Sequence, residues 1–325
     1  MRILAAMDKF KGTLSASEAA AAVCRGAVGH DCDHCPIADG GDGTLAAFGG
    51  ANQTTIVTGP HGRELTAGWR LVNGLAIIEM ATASGLVVGA DRQDPMSATT
   101  FGTGQLIAAA LEAGAEWILV GVGGSATTDG GQGAIEAIRR SLGDDRLPVP
   151  VTVLCDVSTA FTRAAEVFGP QKGASPGQVK ELTARLQAMR QRWLTDFDVD
   201  TVPGSGAGGG LAGGLASLGA ILKPGFEVIA DHVGLVARID QADLIVTGEG
   251  RFDETSSQGK AVGGVVALAR DAAKPVVIIA GSTDVAGPNV MSLADRFGDE
   301  TWTDPAACLE TAMREALVSL GDPRG

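Results

Sequence analysis

The chain has 325 residues, of which 45% are hydrophobic and 19% charged, and glycine is conspicuous at 47. That composition belongs to an ordered chain able to bury a full core and long enough for two domains, and the glycines follow no collagen-like period. A formal net charge of −13 without any run of Lys or Arg excludes nucleic acid or an anionic membrane surface as a main partner, so an anionic substrate has to be met by locally placed cations and backbone N–H groups.

The apolar run Arg2 to Met7 reads as a buried strand, with Asp8 standing where it ends. The N-terminal stretch reaches charge too soon for a signal peptide, and no uncharged apolar span long enough to cross a bilayer follows, so the expected location is cytoplasmic. Ser15 and Ser17 cap an alanine-rich helix to about Val28, with Glu18 in its first turn. A second strand from about His34 to Ala38 runs into DGGDGT (Asp39 to Thr44) and a short helix, Leu45 to Phe48. Two such strand, turn and helix units imply a parallel sheet with right-handed crossovers. From Thr54 to Ala83 apolar and polar residues alternate, broken by Gly59 to Gly62 and by Asn73 and Gly74, which predicts an antiparallel meander.

Helical periodicity returns from Thr103 to Ala113 and leads into WILVGVGGSATTDGGQG, Trp117 to Gly133. There an apolar strand stops at glycines and restarts as a helix. Gly121, Gly123 and Gly124 allow close approach, Ser125, Thr127, Thr128 and Asp129 supply hydroxyls and a carboxylate, and a helix beginning after such a turn presents free N–H groups to an anion. The same stretch also fits a capped turn that binds nothing. A helix from Ala134 to Leu142 is followed by a boundary at 143–150, a strand Val151 to Leu154 ending at Asp156, and a helix Val179 to Trp193. A second glycine cluster opens at Pro203, and a strand Asp243 to Val246 ends in TGEGRFD, closing at Asp253. A helix Gly263 to Ala272, a strand Pro275 to Ala280 and a helix Cys308 to Leu320 complete the chain. The expected fold class is α/β: a three-layer Rossmann-like parallel sheet domain from residues 1–52, 100–145 and 238–325, with a second, smaller mixed α/β domain from 53–99 and 146–237 inserted.

Ligands of open parallel sheets collect beyond the carboxyl ends of the strands. Those ends bring Asp8 with Lys11, Asp39 with Asp42, Gly123 to Asp129, Asp156, and Glu249 with Arg251 and Asp253. Carboxylates, glycine-rich anion cradles and a few lysines are the parts of Mg²⁺-assisted phosphoryl transfer. A Walker P-loop is excluded, because Ala261 follows Gly259 and Lys260 and Glu254 holds the place of the first glycine. GSGAGG, Gly204 to Gly209, matches a dinucleotide fingerprint but follows the acidic segment ending in Pro203 rather than a strand. Gly121 to Ala126 does follow a strand, yet about twenty residues on, where a ribose-binding acid is needed, the chain has Gly143, Asp144 and Asp145 in a loop. An NAD-dependent oxidoreductase of a small hydroxy acid therefore stands as the alternative. His61 in a turn and His232 in a helix offer no base for a Ser-His-Asp hydrolase. His30, Cys32, His34 and Cys35 lack a second pair at zinc-finger spacing, and five scattered cysteines argue against a disulfide framework.

A series of motifs in order then carries a family resemblance: DKFKG from Asp8, ADGGDGT from Ala38, ASGL from Ala83, TTFGTG from Thr99 and GGSATTDGG from Gly123. CDV from Cys155, FGPQKGA from Phe168, GSGAG from Gly204 and TGEGR from Thr247 continue it. Nearly end to end, the chain resembles the bacterial glycerate kinases. The resemblance implies ATP- and Mg²⁺-dependent phosphorylation of glycerate, usually to 2-phosphoglycerate, on two α/β domains, one inserted in the other. Lys9 stands for the usual Ser, Thr128 for Asn, Asp42 for Glu, Ser158 and Thr159 for Asn-Pro, and Val262 for Pro; Thr128, which loses an amide donor, bears on the acceptor.

The expected assignments follow. Lys11, Asp39 and Asp253 are catalytic, Asp39 or Asp253 orienting the attacking hydroxyl. Asp8, Ser84, Gly123, Gly124, Ser125 and Arg251 bind substrate or phosphate, and Gly204, Ser205, Gly206, Gly208 and Lys260 bind the nucleotide. Asp129, Asp156 and Glu249 reach Mg²⁺ directly or through water. The partners are glycerate and ATP, with no nucleic acid and no membrane, on a monomer or homodimer; a kinase for another small hydroxy acid, or a nucleotide sensor without turnover, are the further readings.

Overall fold

The computed structural model describes residues 1–90, 94–143, 146–254 and 260–321; Asp144, Asp145 and Gly259, which entered the motif comparisons above, lie outside them. In chain order the strands are β1 (Arg2–Met7), β2 (Asp31–Pro36), β3 (Gln53–Thr58), β4 (Glu64–Val72), β5 (Leu75–Glu79), β6 (Trp117–Gly121) and β7 (Val151–Leu154). They continue as β8 (Ile221–Lys223), β9 (Leu244–Gly248), β10 (Arg251–Phe252), β11 (Val276–Ala280), β12 (Ser282–Thr283) and β13 (Val290–Ser292).

Residues 1–39, 46–48 and 226–325 form one unit. Its sheet has the order β13-β11-β9-β1-β2 and every pairing is parallel. β1 is central, with Ile3 opposite Cys32 on one side and Leu244 on the other. A strand buried on both faces needs an uninterrupted apolar run, which is why β1 reads so clearly. Ile3, Ala5 and Met7 pack with Val23, Leu309 and Met313, while Leu4 and Ala6 pack with Ile37, Leu235 and Val265, so helices cover both faces as expected. The helix Ala16–Gly26 opens on a full capping box between Ser15 and Glu18.

The cysteine expectation is corrected here. Cys24, in the last turn of that helix, forms a disulfide with Cys32 in β2, Cα to Cα 5.4 Å, while Cys35, Cys155 and Cys308 are free. The pair joins two consecutive elements, a local link that a search for a framework does not detect. Among the described residues no group of three or more His, Cys, Asp or Glu is placed to hold a metal ion.

Residues 40–45 and 49–225 form the other unit. Its sheet has the order β3-β4-β5-β6-β7-β8. β3, β4 and β5 are the expected antiparallel meander, turning at Asn73 and Gly74, both with positive φ (49° and 77°). β5 to β8 run parallel. Because β6 pairs with β5 and β7, residues 100–143 belong to this mixed unit and not to the Rossmann-like one. The mixed unit is thereby the longer of the two, against the expectation of a smaller insertion. An apolar strand before a glycine turn looks the same in either sheet; its partners are chosen by tertiary pairing. The core of this unit gathers Ile78, Ile107, Ile118, Val153 and Leu211, with a satellite of Phe161, Leu182 and Leu186. No helix among the described residues is long and apolar enough to cross a membrane.

Candidate active site

In the first unit Asp39, Asp8 and Glu249 stand just beyond the carboxyl ends of the adjacent parallel strands β2, β1 and β9. Asp8 is 5% exposed, and its Oδ1 accepts from the backbone N–H of Lys9 at 2.6 Å, with Lys9 Nζ at 3.8 Å. Burial pushes the Asp8 carboxyl up to about 7; Lys9 opposes the rise, and the negative charges of Asp39 and Glu249 add to it. The loop after β1 is pinned to the loop after β9, since Asp8 N–H donates to Gly248 O and Gly250 N–H to Lys9 O. On this frame Lys11 is exposed, and Arg251 is exposed and paired with Asp284 at 2.6 Å. Asp253 is half-buried just after β10, and Lys260 immediately precedes the helix Ala261–Asp271.

In the second unit the turn after β6 is held from several directions. Leu86 N–H donates to Gly124 O and Ala126 N–H to Ser84 O. A Cβ on Gly123 would stand 2.4 Å from Gly41 Cα, and one on Gly124 (φ +69°) 2.5 Å from Asp42 Oδ1, so only glycine admits this packing. Among the described residues the backbone N–H groups of Gly123, Gly124 and Ser125 have no acceptor. Three successive free donors on a glycine-rich turn are an anion-binding arrangement.

The helix start that follows differs from expectation. In Gln132–Leu142 the N–H of Gly133 donates to Asp129 Oδ2 and that of Ala134 to Thr100 Oγ1, so these first-turn donors are spent inside the protein. Asp129 also accepts from Thr100 N–H and Oγ1 at Oδ2 and from Gly131 N–H at Oδ1. It is a knot that ties two loops together, with little left to offer Mg²⁺. Asp129→Asn is expected to cost about 1–3 kcal/mol in a denaturant titration and to leave the Mg²⁺ dependence of any activity unchanged; an unaltered stability with a raised Mg²⁺ requirement would reverse that assignment.

Other expected contacts are also turned inward. Ser84 is fully buried with Oγ accepting from Thr103 Oγ1 at 2.8 Å. Ser205 is fully buried and its Oγ meets no partner. Gly204, Gly206 and Gly208 lie in a stretch whose N–H groups at Gly206, Ala207, Gly210 and Gly213 bond to protein carbonyls, and Gly209 O accepts from Gly130 N–H. A side chain at Gly204 would meet Cys155 and Val157, at Gly206 the backbone of Thr159 and Ala160, and at Gly208 Met80 and Val122, while Gly209 and Gly210 pack against the 127–130 loop and Phe161. Asp156 Oδ1 accepts from Gly225 N–H at 3.0 Å.

Two buried charges were missed. Glu79, 7% exposed at the end of β5, accepts from the N–H groups of Gly43 and Leu45 and so fixes the 40–45 loop; an acid closing an otherwise apolar strand was its signal. Lys172, 4% exposed, donates to Ser125 Oγ at 2.8 Å and Thr127 O at 2.5 Å. Burial brings its pKa down to about 7, against a raising influence from Asp129.

The comparisons with known proteins agree with one another. The model of the "Glycerate kinase family" matches residues 3–147 and 142–320. The chain is 40% identical to glycerate 2-kinase of Escherichia coli (strain K12), over 88% of this chain and 87% of that one. It is 39% identical to glycerate kinase of Bacillus subtilis (strain 168), over 87% and 85%. A solved structure, "putative glycerate kinase 2 from Salmonella typhimurium LT2", superimposes with a TM-score of 0.82 at 32% identity, covering 99% of this chain and 98% of that one.

Proposed function

The chain belongs to the glycerate kinase family, and from that premise we propose that it transfers the γ-phosphoryl group of ATP to the 2-hydroxyl of glycerate. The choice of the 2-hydroxyl is supported by the name of the Escherichia coli relative. The observation that carries the mechanism is the meeting of Asp8, Asp39 and Glu249 at neighbouring strand ends, with Asp8 withdrawn from water.

A base that takes a proton from a hydroxyl works best with a pKa near the working pH. Asp8 is such a carboxylate, and in this reading it accepts the hydroxyl proton as the oxygen attacks phosphorus. Lys11 and Arg251, exposed on the same unit, hold the carboxylate of glycerate. Asp253 and Lys260 stay in the proposal as polar contacts of that unit. The Gly123 to Ser125 turn receives phosphate oxygens on its three free N–H groups.

Mg²⁺ ordinarily takes one or two carboxylates together with phosphate oxygens and water, so the absence of a closed ligand cage among the described residues is compatible with it. Asp39 and Glu249 have the right chemistry and would hold it. When bound, the ion neutralises charge on the phosphates. Action in the cytoplasm, where ATP is supplied, completes the proposal.

The test is glycerate-dependent release of ADP in a coupled assay, followed by identification of the phosphoglycerate formed. Turnover with glycerate and 2-phosphoglycerate as product are the expected results. Reduction of NAD in place of ADP release would favour the dehydrogenase, and 3-phosphoglycerate would move the acceptor.

A further inference from the structure

Among the described residues Lys172 is the one lysine or arginine that is buried. It lies on the short 3-10 turn Pro170–Lys172, closed by Gly173 in the left-handed conformation (φ +87°). Its two hydrogen-bond partners, Ser125 Oγ and Thr127 O, are both neutral. Asp129 is the charged group that acts on it, but the oxygens of Asp129 are taken by Thr100, Gly131 and Gly133 and form no ion pair with it. Asp42, whose carboxylate lies against Gly124, brings further negative charge to the same turn.

A buried ammonium without a paired anion is costly, and the cost falls when an anion arrives. The bond to Ser125 shows where. A hydroxyl has one hydrogen, and since Ser125 Oγ accepts from Lys172 and meets no other described group, that hydrogen is left to donate. With the N–H groups of Gly123, Gly124 and Ser125 it makes a fourth donor on one turn, backed by one cation.

We propose that Lys172 is a positioning residue that acts through Ser125, and that binding of the nucleotide's phosphate at the Gly123 to Ser125 turn takes up a proton from water onto Lys172. This rests on the phosphate-binding reading of that turn given above. Linkage is reciprocal, so a ligand that favours the protonated lysine must bind better when the lysine is already protonated. With burial bringing the Lys172 pKa down to about 7, its protonated fraction falls across neutral pH. Nucleotide affinity is therefore expected to weaken about tenfold between pH 6 and pH 8 as the protonated fraction falls.

The experiment is titration calorimetry of the full chain with the β,γ-imido analogue of ATP in magnesium buffer at pH 8, where phosphate itself is already ionised. Buffers of different ionisation enthalpy read the protons exchanged. The wild type should take up close to one proton per site. Lys172→Arg, charged throughout, should take up none and bind with an affinity independent of pH. Lys172→Met should take up none and bind, at pH 6 and pH 8 alike, at least about tenfold more weakly than the wild type does at pH 8. The proposal is overturned if the wild type takes up no proton, if Lys172→Met keeps the uptake, or if glycerate alone and not the nucleotide carries it. Should Lys172→Met fail to fold, the wild type and the arginine variant decide by themselves. Failure of the kinase reading looks different: no glycerate-dependent ADP release from the wild type at any pH.

Discussion

Asp8→Asn is expected to lower kcat by about 10²- to 10⁴-fold while the KM for ATP changes little. The amide keeps the shape of the carboxyl and its bond from Lys9 N–H, but cannot take a proton. In the wild type, kcat/KM should fall as the pH drops below about 7, because the carboxyl, raised by burial, is then protonated; that acid limb should vanish from the residual activity of the variant. Stability should move the other way. A group whose folded pKa is raised contributes stability that is fully present below its unfolded pKa and is lost as the pH rises through the folded one. The wild type thus gives up stability between the ordinary carboxyl range and about 7, and Asp8→Asn, neutral throughout, does not. At pH 8 the variant should be the more stable protein and nearly inactive, a pairing that misfolding does not produce. If Asp8→Asn retains near-normal kcat, the proton goes elsewhere, and Asp39→Asn and Asp253→Asn are the next variants to measure.

Gly209→Ala should be among the most destabilising single changes. Its φ is +68°, and an added Cβ would stand 1.9 Å from Thr127 O and 2.7 Å from Thr127 C, backbone atoms that cannot rotate away. The left-handed conformation alone costs an L-residue about 1–2 kcal/mol; displacing the 127–128 backbone should take the total beyond roughly 4 kcal/mol. Gly62→Ala is the control, since φ there is +86° and nothing lies within 4 Å, so only the first cost applies. A denaturant midpoint for Gly209→Ala close to that of Gly62→Ala would refute the packing account. The variant should also disturb Lys172, whose bond to Thr127 O depends on that backbone.

That glycine illustrates what the sequence conceals. GSGAGG has the spacing of a phosphate-binding fingerprint, yet in the structure the requirement for glycine comes from a neighbouring loop pressed against it. Composition and spacing report that a side chain is forbidden, not what forbids it. Local signals fared better: the capping box at Ser15, the turn at Asn73 and Gly74, and the apolar runs of β1, β7, β9 and β11 were all legible, because each depends on adjacent residues. The strand-end rule brought Asp8, Asp39 and Glu249 to one edge of one sheet for the same reason. The sheet to which β6 belongs, the Cys24 to Cys32 disulfide and the partner of Lys172 depend on contacts made after the chain has folded back on itself. No local pattern announces them. Lys172 sits in a motif that looks like a simple turn, and only its burial against Ser125 gives it meaning.

The order in which the chain leaves the ribosome gives the sheet of the first unit a peculiar history. β1 and β2 are made at the start, but β9, which flanks β1 on its other side, and β11 beyond it belong to the last third of the chain. The nascent β1, an apolar strand with one side unpaired, must wait while the continuous 49–225 segment is synthesised and free to fold first. Truncation before residue 244 therefore leaves that strand half-paired for good, and such fragments should aggregate where the whole polypeptide does not.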